Sequence, residues 1–391
     1  MRSLSSTILG ATLALSAAFT PGCSDCNGEP IIDEPITSAP DDDDTEAPQY
    51  NRGYYLDMAL DSEGRPWLAF RDGERGILQV ARGAGDPAVF DTVWDVDGQP
   101  DTSGPIPSGG FEGGYYASIV IDANNQPHVA HWNQEDGGLR YATLVGDAWE
   151  AEDVETGEVG QFTDIVLVDG APLISYYDYG SGALKVARKG ATGWQDETVD
   201  EGDVGPDAVA AELEAADVGL YTNLFVDGST VWLAYYDRAN GDLKVASGGF
   251  GSWSIEGTFG SEIDAGTWPT LTSDGGSVYV AFQNLSSHTL WWGTVTGGGI
   301  LTEVIDEGAF TGADSSIVWD GGNAVIVYQD SQNNDAKIAV QDGAGGWTLS
   351  THMADGAVGF HNSLEMDSSG RLNWSCFDHT RTDFVFQRFS L

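Results

Sequence analysis

From residue 51 onward, apolar and polar positions alternate with a period of two over short runs rich in β-branched and aromatic residues. Turns carrying Gly, Asp and Asn separate the runs. That pattern predicts strands rather than helices. One stretch, "YYDYGSGALKVA" at 176–187, returns almost unchanged as "YYDRANGDLKVA" at 235–246. The repetition belongs to a longer frame. An anchor glycine stands at Gly53, Gly114, Gly160, Gly219, Gly266, Gly312 and Gly359, and each copy then runs to a turn containing Asp. A second apolar strand follows and ends in Asp72, Asn133, Asp178, Asp237, Asn284, Asp330 or Asp378, always 18 or 19 residues after the anchor. Six residues further on stands the next strand: "LQVA", "LRYA", "LKVA", "LKVA", "LWWG", "AKIA" or "FVFQ".

Spacing this regular, with length variation confined to later loops, marks a repeated supersecondary unit. In most copies a turn and a Trp (Trp149, Trp194, Trp253, Trp347) announce a fourth strand. Four short antiparallel strands recurring at 46 to 61 residues describe the blade of a β-propeller. The predicted fold is therefore all-β, a seven-bladed propeller over 51–391. The seventh copy supplies only three strands before Leu391. The apolar segment "PIIDEPIT" at 30–37 is the candidate fourth strand, since joining the termini would cover an exposed edge.

Composition narrows the setting. The 391 residues include 61 acidic and 16 basic side chains, a formal net charge of −45, which excludes nucleic acid as a natural partner. Residues 1–22, with one early Arg and an apolar run from Leu4 to Phe19, fit an export signal. The ending Thr20-Pro21-Gly22-Cys23 resembles a bacterial lipobox, which implies lipid on Cys23 and a place in the cell envelope, the outer membrane above all. Residues 23–50 are acidic and Pro-rich, the composition of an extended tether. With Cys26 and Cys376 the only other cysteines, no disulfide framework supports the fold, and Cys376 reads as a buried small hydrophobe.

Candidate chemistry is sparse. The Asp or Asn closing each second strand, with Gly76, Gly137, Gly182, Gly241, His288, Asn334 or Thr382 four residues later, reads as a capped hairpin turn rather than a metal site. Two residues after the anchors stand Tyr55, Tyr116, Phe162, Tyr221, Trp268, Asp314 and His361. Four after them stand Asp57, Ser118, Asp164, Asn223, Thr270, Ser316 and Ser363. Both sets sit where inner strands converge on the axis. They serve either packing and hydrogen bonding between blades, or a central ligand site with stacking faces and polar acceptors, of which Tyr55, Asp57, Tyr116, Asp164, Tyr221, Trp268, Asp314 and His361 are the candidates. Asp95, Asp97 and Asp101 in "DVDGQPD" resemble a fragment of a calcium loop without its closing Glu, so no cofactor is expected beyond that weak calcium candidate. Trp291 and Trp292 replace the usual Lys-Val and are either an exposed stacking pair or filler between blades. Six dispersed His give no zinc spacing.

The unit, for example "GYYASIVIDANNQPHVAHWNQEDGGLRYA", resembles the blades of bacterial sialidase-like (BNR-like) propellers over about 53–391. The resemblance implies the architecture. It does not imply the activity: the Asp-box turns read "GATGW", "GFGSW" and "GAGGW", and the few Arg form no recognisable carboxylate-binding triad. The expected function is that of a monomeric, lipid-anchored binding or adhesion module for a glycan, peptide or protein. The alternatives are a polysaccharide hydrolase or lyase using residues such as Asp314 and His361, and a structural envelope protein without a small ligand.

Overall fold

The computed structural model describes residues 51–98, 112–135, 137–203, 216–260 and 263–391. The segment 30–37, Cys23, Cys26, Asp101, the tether and the connecting stretches 99–111 and 204–215 lie outside these residues. The described chain is a ring of seven antiparallel sheets, six with four strands and the last with three, and it contains no helix. Each sheet is a meander that starts at the axis. The inner strands are Arg52–Leu60, Tyr115–Ile121, Val159–Val168, Val218–Asp227, Ala265–Ser273, Thr311–Trp319 and Phe360–Met366.

Outer strands such as Ala148–Glu155 are open to solvent along their length, whereas second strands are not. Pro66–Asp72, Pro127–Asn133, Ala324–Asp330 and Leu372–Asp378 are buried at every residue. A blade is sandwiched between two neighbours, so both faces of its middle strands enter a seam. Seven apolar clusters fill these seams; one joins Leu243, Val245, Leu271, Val280 and Phe282 across blades four and five.

The hairpin after each second strand does more than turn the chain. Asp72 accepts from the backbone N–H groups of Glu74 and Arg75, as an Asx-capped turn requires. The residue four positions after the cap takes positive φ in all seven copies, including His288 (52°), Asn334 (57°) and Thr382 (52°). That conformation aims its carbonyl at the next blade. Gly137 O accepts from Val159 N at 3.0 Å, Gly182 O from Val218 N at 3.0 Å, and Thr382 O from Arg52 N at 3.1 Å. The last of these bonds ties copy seven to copy one.

A second set of ties explains the recurring Lys. The carboxylate ending one blade's outer strand accepts from the second and third strands of the next. Asp200 takes the Tyr235 hydroxyl at 2.9 Å and the Lys244 ammonium at 3.1 Å; Asp306 takes Tyr328 and Lys337; Glu155 takes Tyr176 and Lys185; and Asp97 takes His131 and Arg140. The seam between blades four and five breaks the rule. There Phe259 closes the outer strand of blade four and packs on Phe282 and Trp291 of blade five, with ring centroids 5.8 and 5.7 Å apart. Trp291 and the buried Trp292 are thus seam filler. Cys376 is a fully buried free thiol, as its apolar run suggested.

The anchor glycine answers to close approach. At Gly160, with φ of 104°, a Cβ would stand 2.8 Å from Leu139 Cα of the preceding blade, so backbone rather than a pliable side chain blocks it. Gly160→Ala is expected to destabilise the ring by about 2–4 kcal/mol, whereas Gly146→Ala, in open space at φ 65°, costs about 1 kcal/mol. Thermal unfolding of the two variants checks this; equal losses would show that the seam relaxes freely.

Candidate functional site at the channel mouth

Every inner strand carries a bulge just after its anchor, seen as a register shift such as that between Tyr54 and Asp57. The residue two after the anchor adopts a left-handed conformation in all seven: Tyr55 (52°), Tyr116 (50°), Phe162 (53°), Tyr221 (53°), Trp268 (46°), Asp314 (48°) and His361 (50°). Bulges re-aim side chains, and these bring seven large or charged groups together around the axis. Positive φ is costly for such residues and is sustained only where surroundings over-determine it. Part of that support comes from the residue one further on, which bonds the bulged carbonyl of the preceding blade. Thr163 holds Tyr116 O, Thr222 holds Phe162 O at 2.9 Å, Ser315 holds Trp268 O at 2.7 Å and Asn362 holds Asp314 O at 3.0 Å. Sequence reasoning missed this set, although four hydroxyl or amide residues at one offset were its signal.

The rings form an ordered series. Centroids lie 5.1 Å apart for His361 and Tyr55, 4.9 Å for Tyr55 and Tyr116, 4.6 Å for Tyr116 and Phe162, 4.7 Å for Phe162 and Tyr221, and 4.9 Å for Tyr221 and Trp268. Interplanar angles run from 31° to 60°, near the one-seventh of a turn that separates neighbouring blades. Distances at the short end of the roughly 4.5–7 Å range of aromatic pairs require partly overlapping faces. The rings therefore stand like the leaves of a fan, each turning a face to its neighbour. The one position without a ring is Asp314, between Trp268 and His361. Its Oδ1 lies 3.9 Å from His361 Nδ1, and the side chains are 11% and 25% exposed. Burial raises the Asp314 carboxyl to about 6, against the opposing hydrogen bond from the His361 backbone N–H.

The polar residues four after the anchors bond from blade to blade. Asp57 accepts from Ile119 N at 2.9 Å, Ser118 from Ile165 N at 3.3 Å, Asp164 from Leu224 N at 2.6 Å, Asn223 from Leu271 N at 2.8 Å, and Ser316 from Leu364 N at 3.1 Å. Ser363 links the last blade to the first by accepting from Met58 N at 3.1 Å and donating to Asp57 at 2.8 Å. Ser118 Oγ stands 3.0 Å from Asp57 and 2.8 Å from Asp164, yet a hydroxyl has one proton to give. The shortfall favours a proton on a carboxyl. Burial, and then the Asp57 charge, lift Asp164 to about 7, while burial lifts Asp57 against four hydrogen bonds.

Glu365 is a second residue that sequence reasoning passed over. It lies six after its anchor, where the other copies have Ala59, Val120, Val166, Phe225, Thr272 and Val318. Among the described residues no hydrogen bond reaches its carboxyl, and burial followed by the Asp57 charge raises it to about 8. Near the mouth, Arg71 lies 4.0 Å over the Tyr115 ring and pairs with Glu112, and His379 lies 4.8 Å from Phe377. The calcium-like Asp95 and Asp97 stand apart from this group, paired with Arg75 and with His131 and Arg140. Among the described residues no cluster of three or more His, Cys, Asp or Glu could hold a metal. His128 and His131 are both buried.

No protein family matches the chain, and no curated protein does. Solved structures do. One is a protein from Lactobacillus plantarum, 14% identical, TM-score 0.54, covering 82% of this chain and 94% of that one. Another is the polysaccharide lyase Uly1, 10% identical, TM-score 0.54, covering 89% and 91%. What is shared is the fold.

The raised carboxyls fix a pH dependence. A group whose folded pKa lies above its unfolded value costs nothing below the unfolded value and its full penalty above the folded one. For Glu365 the penalty grows from about 4.5 to about 8. Glu365→Gln is therefore expected to raise the melting temperature above pH 8 and to match the parent near pH 4.5. Melting curves across that range check it, and a difference independent of pH would refute it.

Proposed function

We propose that this chain is a binding propeller of the cell envelope, exported by residues 1–22, lipid-anchored through Cys23 and held out by an acidic tether, that recognises a glycan at the mouth of its central channel. The observation that carries the reading is the side-chain choice at the bulges. A left-handed position is cheapest with Gly or Asn, and the hairpin turns of the same blades use Gly in four copies. At the mouth all seven copies carry instead Tyr, Phe, Trp, His or Asp. Mutual packing repays part of that strain; the open parts of Trp268, His361 and Asp314 supply what a sugar needs, an aromatic face beside polar acceptors. The similar fold of a protein named as a polysaccharide lyase is consistent with such a ligand.

A second reading rests on the Asp314–His361 pair itself. A carboxyl raised to about 6 beside an imidazole and flanked by Tyr55 is equipment for proton transfer, as a polysaccharide hydrolase or lyase requires. Asp57 and Asp164 fit that role less well, because their oxygens are taken by blade-to-blade bonds. The sialidase-like resemblance adds no catalytic set to either reading.

A glycan array with the chain lacking residues 1–23 tests the proposal. Selective binding is expected, reduced at least about tenfold in Trp268→Ala and His361→Ala. Binding that survives both changes would move the site elsewhere, and release of unsaturated or reducing ends from a bound glycan would favour the second reading.

A further inference from the structure

The fan of rings is interrupted at one blade, where a carboxyl group stands in place of a ring. Six of its seven leaves are planar groups, stacked at 4.6–5.1 Å from His361 through Tyr55 to Trp268. The seventh is Asp314, whose side chain is far shorter than a ring. Removing one leaf from a stack of such spacing leaves room for one ring-sized group between Trp268 and His361. Trp268 meets Tyr221 on one side, so its other side turns toward Asp314. At the base of the gap the Asp314 carboxyl has, among the described residues, one ion-pair neighbour, His361 at 3.9 Å, and neither Lys nor Arg.

The field around the gap has one sign. The whole chain carries −45, and the only ion-pair neighbour of Asp314 among the described residues is His361. A uronate or sulfate entering here would meet the Asp314 carboxylate within a strongly acidic chain. A cation would meet an indole face and a desolvated carboxyl short of positive partners. Burial alone holds that carboxyl up at about 6, which an ammonium ligand would relieve.

Resting on the glycan reading above, we propose that the gap at Asp314 is a subsite for a sugar ring bearing a free amino group, stacked on Trp268 with its ammonium at the Asp314 carboxylate. The ligand class is an unacetylated amino-sugar glycan. Neutral glycans would bind by stacking alone, and acidic ones would be rejected.

Two variants separate room from charge. Asp314→Asn keeps the gap and removes the charge. Asp314→Tyr supplies the missing leaf, in a backbone conformation that three tyrosines already adopt at equivalent positions. The full chain is titrated near neutral pH with tetraglucosamine, its N-acetylated tetramer and tetragalacturonate, following the indole N–H resonance that disappears in Trp268→Leu. Tetraglucosamine is expected to shift it saturably, the acetylated tetramer to bind at least about tenfold more weakly, and the uronate not at all. Asp314→Asn should lose about tenfold, and Asp314→Tyr should lose binding while melting no lower than the parent. Equal binding of the acetylated tetramer, an unaltered Asp314→Asn, or full binding by Asp314→Tyr would each overturn the inference, as would silence toward every probe. Benzamidinium, a flat cation that is not a sugar, separates the two levels. If it binds through Asp314 while no sugar does, the cation subsite stands and the glycan reading falls; sugar binding indifferent to Asp314 does the reverse.

Discussion

A ring of seven separate sheets must be closed by weak bonds, and here closure rests on a backbone N–H passed from blade to blade. Each inner strand presents an N–H five residues after its anchor, and in six of the seven seams an oxygen of the previous blade meets it, from Asp57 and Ile119 around to Ser363 and Met58. The hairpin carbonyls duplicate the link nearer the face where inner strands begin, with Thr382 and Arg52 bridging last copy to first. The residues that carry these bonds are the ones that looked chemically interesting in the sequence. Asp57 and Asp164 are acceptors first, and their raised pKa values follow from burying acceptors where two carboxyls share one hydroxyl.

The bulges that precede these bonds give the channel mouth its character. A strained, left-handed residue turns each inner strand's side chain toward the axis, and the hydroxyl or amide of the next blade holds four of the bulged carbonyls in place. Strain of about 1 kcal/mol or more per residue is thereby converted into a rigid stack of rings. Rigidity matters for recognition because a preorganised site spends little binding energy on ordering itself.

Much of this was legible beforehand. The anchor glycines, the constant hairpin spacing and the Leu-Lys-Val-Ala strands name the blade, and each has a seam contact as its cause: Gly160 against Leu139, Lys244 against Asp200. The expectation that polar positions four after the anchors bond between blades holds at six of the seven, all but Thr270. What sequence could not supply was the fan. A periodic strand pattern says which side chains alternate, but a bulge breaks that alternation, so the order of ring faces and the gap at Asp314 follow only from backbone geometry. Glu365 and the set of Thr163, Thr222, Ser315 and Asn362 were visible in the alignment of copies, but they stand out only once the bulge shows which way each offset points.

The seams are not alike. Four are fastened by carboxylate clamps; at two of them, Asp97 and Asp306, burial raises the carboxyl but the bonds from His131 and Arg140 and from Lys337 outweigh it and lower the pKa. The seam between blades four and five has no such clamp, and Phe259 packs against Phe282 and Trp291 in its place. Acid that protonates the clamps, or salt that screens them, leaves this contact untouched. Opened under such conditions, the ring would part at one of its four ionic joints and keep blades four and five together as one piece, a greased hinge in a circle partly fastened by charge.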